Sequence, residues 1–88
     1  MEIIALNDKQ ERISLSVFFE KFGEFQSNSN LMQQVVRTLK VLQRHPEDIG
    51  VIAEMKDDAY EICVSGNNRT YTIKVQLRNN VIVLLNLQ

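Results

Sequence analysis

Few side chains in this sequence are equipped for chemistry, and their spacing narrows what they can do. His45 is the single histidine and the natural acid–base group near neutral pH. It precedes Pro46 where a helix is expected to end, and an imidazole there also suits the negative end of the helix dipole. That placement favours the structural role. Cys63 is the single cysteine, which excludes an internal disulfide and any metal site built on cysteine pairs. As a nucleophile it needs a base or a depressed pKa, and the residues expected beside it, Ser65 and Thr72, supply neither. It reads instead as a small filler on a partly covered face. Glu54, Asp57 and Asp58 gather carboxylates, but without the spacing of a recognisable cation loop. No metal or small-molecule cofactor is expected.

Charge argues in the same direction. The 88 residues carry 10 lysines and arginines against 11 aspartates and glutamates, a formal net charge of −1. Proteins that bind a phosphate backbone draw affinity from basic groups that displace counterions, and this chain has no global excess of them. Any basic patch must be local. Apolar residues make up 44% and charged residues 24%, the balance of an ordinary globular domain rather than a disordered chain. No apolar run approaches the ~20 residues of a membrane span. Met1 to Leu6 is short and carries Glu2, so no signal peptide is expected, and the expected location is the cytoplasm. One domain over residues 1–88 is the simplest organisation.

The elements that must position these residues follow from periodicity. Glu2 to Leu6 alternates weakly and reads as a first strand, with Asn7 to Arg12 as a connector. Leu15, Phe18, Phe22 and Phe25 then recur at helical spacing, broadened by Phe19. Ser14 or Ser16 can cap this helix, and Gly23 inside it costs about 1 kcal/mol relative to alanine. After the polar stretch Gln26 to Asn30, a second helix carries Leu31, Val35, Leu39 and Leu42 on one face, widened by Met32 and Val36. Asn30 with Gln33 resembles a capping box. Arg37, Lys40 and Arg44 lie toward its C-terminal half, where cations favour the dipole, and Pro46 ends the run. The short connector predicts an antiparallel helical hairpin. Glu47 to Asp58 reads as loop, with an extended piece at Val51 to Ala53.

Three strands close the chain. Tyr60, Ile62 and Val64 alternate with Glu61, Cys63 and Ser65; Tyr71, Ile73, Val75 and Leu77 alternate with Thr70, Thr72, Lys74 and Gln76. Val81 to Leu85 is continuously apolar, as in a central strand. With Asn67-Asn68 as a two-residue turn, Val64 faces Tyr71, Ile62 faces Ile73 and Tyr60 faces Val75. On the opposite side Ser65 faces Thr70, Cys63 faces Thr72 and Glu61 faces Lys74. A slip of one residue would mix the two faces. Asn79-Asn80 makes the second turn. The fold class is therefore α+β, a helical hairpin packed on a mainly antiparallel sheet with a C-terminal three-strand meander. The polar side is a solvated sheet face with a Glu61–Lys74 cross-strand pair worth a few tenths of a kcal/mol.

The order strand, helical hairpin, linker, meander, together with the words VVRTLKVLQRHPEDIG, AYEICVSGNNRTYTIKV and NNVIVLLNL, resembles the RelE/HigB superfamily of bacterial toxins, including its phage-derived HigB-like branch. The resemblance spans residues 15–87. It implies a ribosome-dependent endoribonuclease that cleaves messenger RNA, or a toxin held by a cognate antitoxin. In that chemistry a ribose 2′-hydroxyl attacks the adjacent phosphate, while basic side chains orient the RNA and stabilise developing charge. The family's first hairpin strand runs tyrosine-glutamate-leucine-arginine; Tyr60, Glu61 and Ile62 match, and Cys63 stands at the arginine. Its second strand runs tyrosine-arginine-isoleucine; Tyr71 and Ile73 match, and Thr72 stands at the arginine. Both departures fall on one cross-strand pair. A lysine-rich tail is also usual in the family, and this sequence ends at Leu87-Gln88. The basic residues that the resemblance leaves as catalytic candidates are Lys56, before the hairpin, and Arg69, Lys74 and Arg78. Each has a plainer reading: Arg69 at a hairpin tip, Lys74 paired with Glu61, Arg78 in a turn, Lys56 solvated beside Asp57 and Asp58.

Two function classes follow. The first is a messenger RNA interferase with weak or lost activity. The second is a non-catalytic binding protein on the same scaffold, taking an antitoxin or a host factor as partner, or serving as a phage-encoded inhibitor of a host protein. The near-neutral sheet face suits protein recognition better than RNA recognition. Ribosome or messenger RNA remains the partner of the first class, and no membrane partner is expected of either.

Overall fold

Residues 2–27, 29–66 and 69–88 are described by a computed structural model, with backbone only at Ser27, Ser29 and Ile52. The expected turn at Asn67-Asn68 lies outside the described residues. The chain runs β1 (Glu2–Leu6), β2 (Arg12–Ile13), α1 (Leu15–Glu20), α2 (Glu24–Ser27), α3 (Ser29–Arg44), a 3₁₀ turn (Pro46–Asp48), α4 (Ile49–Ile52), β3 (Glu54–Lys56), β4 (Ala59–Ser65), β5 (Thr70–Arg78) and β6 (Val81–Leu87). The six strands form one mixed sheet in the order β2-β1-β6-β5-β4-β3. The α+β class is as expected, and the meander β4-β5-β6 is its centre.

The meander has the expected register. Ile62 lies opposite Ile73, Cys63 opposite Thr72 and Glu61 opposite Lys74. Alternation fixes this because any odd shift would turn Ile62 and Ile73 into water. Asn79 and Asn80 both take positive φ, 48° and 66°, the conformation a tight hairpin turn requires and asparagine tolerates. The β5–β6 ladder shifts register between Lys74 and Val75, and Leu85 is the extra residue on β6.

Three elements differ from expectation. The first helix is broken: α1 ends at Glu20, and α2 begins after Lys21–Gly23. The break lets the phenylalanines leave one helical line, so Phe18, Phe19 and Phe25 are buried while Phe22 is only partly covered. Among the described residues the first expected helix is therefore two pieces, α1 and α2, ahead of α3. Ser14 does cap α1, its Oγ accepting from the Val17 N–H at 3.2 Å. Asn30 falls inside α3 rather than ahead of it, so it does not occupy a capping-box position. Finally, residues 49–52 are helical, and the extended piece is Glu54–Lys56. It forms a hairpin with β4 through Asp57-Asp58, and Asp57 takes φ 56°.

The expected first strand is present, but the sheet also gains β2 and a parallel pairing that the sequence did not announce. β1 pairs in parallel with β6, Ile3 beside Ile82 and Ala5 beside Leu84. The connector after β1 folds back onto β2, held by Asn7, whose Oδ1 accepts from the N–H groups of Lys9 and Glu11 at 3.0 and 2.9 Å. The core lies between the helices and one sheet face, where Leu31, Val35 and Leu42 of α3 meet Ile62, Ile73, Val75, Ile82 and Leu84. Gln34 of α3 ties the layers at the polar margin, donating to the Ser65 carbonyl at 2.9 Å and accepting from its N–H at 3.3 Å.

Candidate functional site

Among the described residues, the helices pack their buried side chains against one sheet face, and the second face is the one turned away from that core. By register it carries Glu54 and Lys56 of β3, Glu61, Cys63 and Ser65 of β4, Thr70, Thr72, Lys74, Gln76 and Arg78 of β5, and the apolar Val81 and Val83 of β6 beside Ile4 of β1. It is thus not uniformly polar: Val83 is only 2% exposed. Cys63 is exposed, so it is not covered as a small filler would be, and its cross-strand neighbour is Thr72, which offers no base.

The four basic candidates do not converge. Lys56 lies 3.5 Å from Glu61, so Glu61 pairs with the edge strand rather than with Lys74, although Lys74 is its register partner. The expected Glu61–Lys74 pair is therefore replaced, and Lys56 is not simply solvated beside Asp57 and Asp58. Lys74 is half-buried in the middle of the open face. Arg78 sits at the turn end of β5, its Nε donating to the Gln76 side-chain oxygen at 2.7 Å, while Gln76 donates to the Asp58 carbonyl at 3.0 Å. Arg69 belongs to the other face altogether. Its guanidinium stacks 4.4 Å from the Phe22 ring centroid and 5.0 Å from that of Tyr71, a cation–π arrangement. A phosphate therefore finds no site where these four groups act together.

Arg69 is part of a cluster that periodicity alone did not reveal. Tyr71 donates a hydrogen bond to the Glu24 carboxylate, and its ring packs against Phe22 and Phe25 at centroid distances of 5.1 and 4.7 Å. The hydrogen bond to Glu24, with burial and the nearby negative charge, holds the Tyr71 pKa above the ordinary phenol value; Arg69 opposes it. Gly66 makes room for this: a Cβ there would meet the Glu24 carboxylate. The cluster joins α2 to the sheet and has the character of a structural clasp.

His45 ends up beside its own turn. Its Nδ1 lies 3.4 Å from Glu47, and with Asp48 these donor atoms fall within 4.8 Å of one another. Among the described residues this is the one grouping with metal-ligand spacing, and it sits on the surface of a single turn. Glu54, Asp57 and Asp58 form no such group; Asp57 and Asp58 are the turn of the β3–β4 hairpin.

The helices carry a broad, open surface of mixed apolar and cationic character. A groove of about 570 Å³ is lined by Phe25 and Gln26 of α2 with Met32, Gln33, Val36, Arg37 and Lys40 of α3. Along the same helix a second depression of about 300 Å³ is lined by Arg37, Lys40, Val41, Arg44 and His45. The signal was legible as three cations and no acid between residues 29 and 44, although their placement alone suggested only dipole stabilisation. Among the described residues no helix is long and apolar enough to cross a membrane. Comparison of the chain with protein-family models, with curated proteins and with solved structures returned no match.

Proposed function

We propose that this chain works by recognising another protein, on a RelE/HigB-like scaffold whose ribosome-dependent cleavage of messenger RNA is weak or lost. The observation that carries this reading is the dispersal of the cations. Phosphoryl transfer to a 2′-hydroxyl needs several donors aimed at one phosphate. Here Lys56 is engaged by Glu61, Arg78 by Gln76, and Arg69 stacks on rings across the sheet. The order of β1, the helices and the β4-β5-β6 meander supports the scaffold. The partner is an antitoxin-like segment or a host factor, and the cytoplasm is the expected setting.

The test is direct. Purified protein added to translating ribosomes should leave messenger RNA uncut relative to a protein-free control, and its expression should not arrest growth. Cys63→Arg combined with Thr72→Arg would place two guanidinium groups beside Lys74 and should raise RNA affinity by about tenfold or more, as two new phosphate contacts would. Cleavage by the wild-type protein that is abolished by Lys56→Ala with Arg69→Ala would overturn the proposal.

A further inference from the structure

We propose that the outer face of α3 is the recognition surface, and that its occupant is an acidic amphipathic helical segment of a partner protein. The inference rests on the protein-recognition reading and gives that partner a chemistry. At 100° per residue, Met32 and Val36 border the buried stripe of α3, and Lys40, Gln33, Arg44 and Arg37 follow on the adjoining arc. An apolar floor is thus flanked by a rim of cations. Phe25 closes the floor from α2, and Val36 is 40% exposed.

The charge is unusual in two ways. The net charge of the chain is −1, yet residues 29–44 hold Arg37, Lys40 and Arg44 with no acid. Among the described residues none of the three forms an ion pair. Arg37 and Lys40 are three apart and Lys40 and Arg44 four apart, so neighbouring like charges repel along the helix. The helix dipole rewards a cation in the last turn, which accounts for Arg44. It does not account for Arg37 or for the apolar floor. Carboxylates on a partner would relieve the repulsion while its apolar side chains covered Met32 and Val36, as in helix-in-groove recognition.

The length of the face suits a helix. From Met32 to Arg44 the face runs about 18 Å at 1.5 Å per residue, enough for three to four turns of a second helix. A second copy of this chain offers an acidic region too, with Glu47, Asp48, Glu54, Asp57 and Asp58 around Val51, which is 88% exposed. However, that Val51 stands on α4, which has 4 residues and cannot run the length of the groove. A nucleic acid would use the cations but leave the apolar floor uncovered.

The probe is a fluorescent peptide of about four helical turns, with leucines at helical spacing flanked by glutamates, titrated against the full chain by anisotropy. A companion peptide carries lysines in place of the glutamates. The acidic peptide should bind and the lysine peptide should not. Arg37→Glu with Lys40→Glu should weaken binding by about tenfold or more, since two attractions become repulsions, and Val36→Ser should weaken it without changing its salt dependence, since it removes apolar surface and no charge. Lys9→Glu, in the β1–β2 connector, should leave it unchanged. Circular dichroism on each variant verifies that it is folded. Equal binding of both peptides, or indifference to the α3 changes, overturns the inference. So does a single-stranded RNA oligonucleotide that binds more tightly with the same α3 dependence, or self-association in sedimentation that Arg37→Glu with Lys40→Glu abolishes. The two readings fail separately: messenger RNA cleavage overturns protein recognition, whereas failed peptide binding without cleavage overturns only the groove.

Discussion

Tyr71 shows how one side chain can carry a measurable signature of the fold. Its hydroxyl donates to Glu24 and its ring lies against Phe22, Phe25 and the Arg69 guanidinium. The protonated phenol is the form that the folded state holds, so its pKa stands above the unfolded value of about 10. The sign follows from proton linkage: this contribution to stability is complete below the unfolded pKa and is lost as pH rises through the higher folded one. In a Tyr60→Phe background, ultraviolet titration of the phenolate should show Tyr71 ionising above pH 10, and Glu24→Gln should bring the midpoint down. An unmoved midpoint in Glu24→Gln would show that the hydrogen bond is not the cause. The pattern of Phe22, Phe25 and Tyr71 as apolar positions was legible in the sequence. Their meeting with Glu24 and Arg69 was not, because the partners lie 47 and 2 positions from Tyr71 and only the packing of α2 on the sheet joins them.

At the scale of elements, the break between α1 and α2 is the main departure from periodicity. A stripe at positions 15, 18, 22 and 25 is what a continuous helix would need, and Gly23 is the weak point in it. The chain breaks at that weak point, and Phe25 lies buried against Phe19 at a ring-centroid distance of 5.2 Å. Gly23 has no positive φ and no atom within 4 Å of a Cβ built there. Gly23→Ala should therefore stabilise the protein by about 0.5 to 1 kcal/mol, by restricting the unfolded chain. A rise in the urea midpoint at unchanged slope checks this; a fall would mean that the glycine backbone is required. The same scale separates β3 from its expectation. Val51 to Ala53 looked extended because valine and isoleucine favour strands, but the paired segment is Glu54–Lys56, where the turn at Asp57-Asp58 sets the register with β4.

Considered whole, the molecule depends on a thin core. A domain of 88 residues buries a modest share of its surface, and total stabilities for such domains run about 5 to 15 kcal/mol. β6 is the strand on which most converges: it lies between β1 and β5, and Leu84 is fully buried on the helical side. Leu84→Ala should cost about 2 to 5 kcal/mol through lost transfer energy and the cavity left behind. That is a large share of the total, so thermal unfolding should move down by about 8 °C or more, at roughly 4–8 °C for each kcal/mol. A shift of only a few degrees would show that the neighbouring strands collapse into the space. The open sheet face and the α3 groove lie on opposite sides of this core, and substitutions on one should not alter binding at the other except through global stability.

By itself the sequence determined the α+β class, the meander and its register, and the burial of Leu31, Val35, Leu39 and Leu42. These are local: period, turn chemistry and face segregation act over a few residues, and a register slip would expose a whole apolar face. Tertiary structure decided the rest. It placed β1 parallel to β6, divided the first helix, gave Glu61 to Lys56, and put Arg69 on the far side of the sheet from Lys74. Among the described residues it also left Arg37, Lys40 and Arg44 without an ion pair, on the helix face that exposes Val36. These outcomes depend on which distant surfaces share the core, a global competition for buried area that no local pattern encodes.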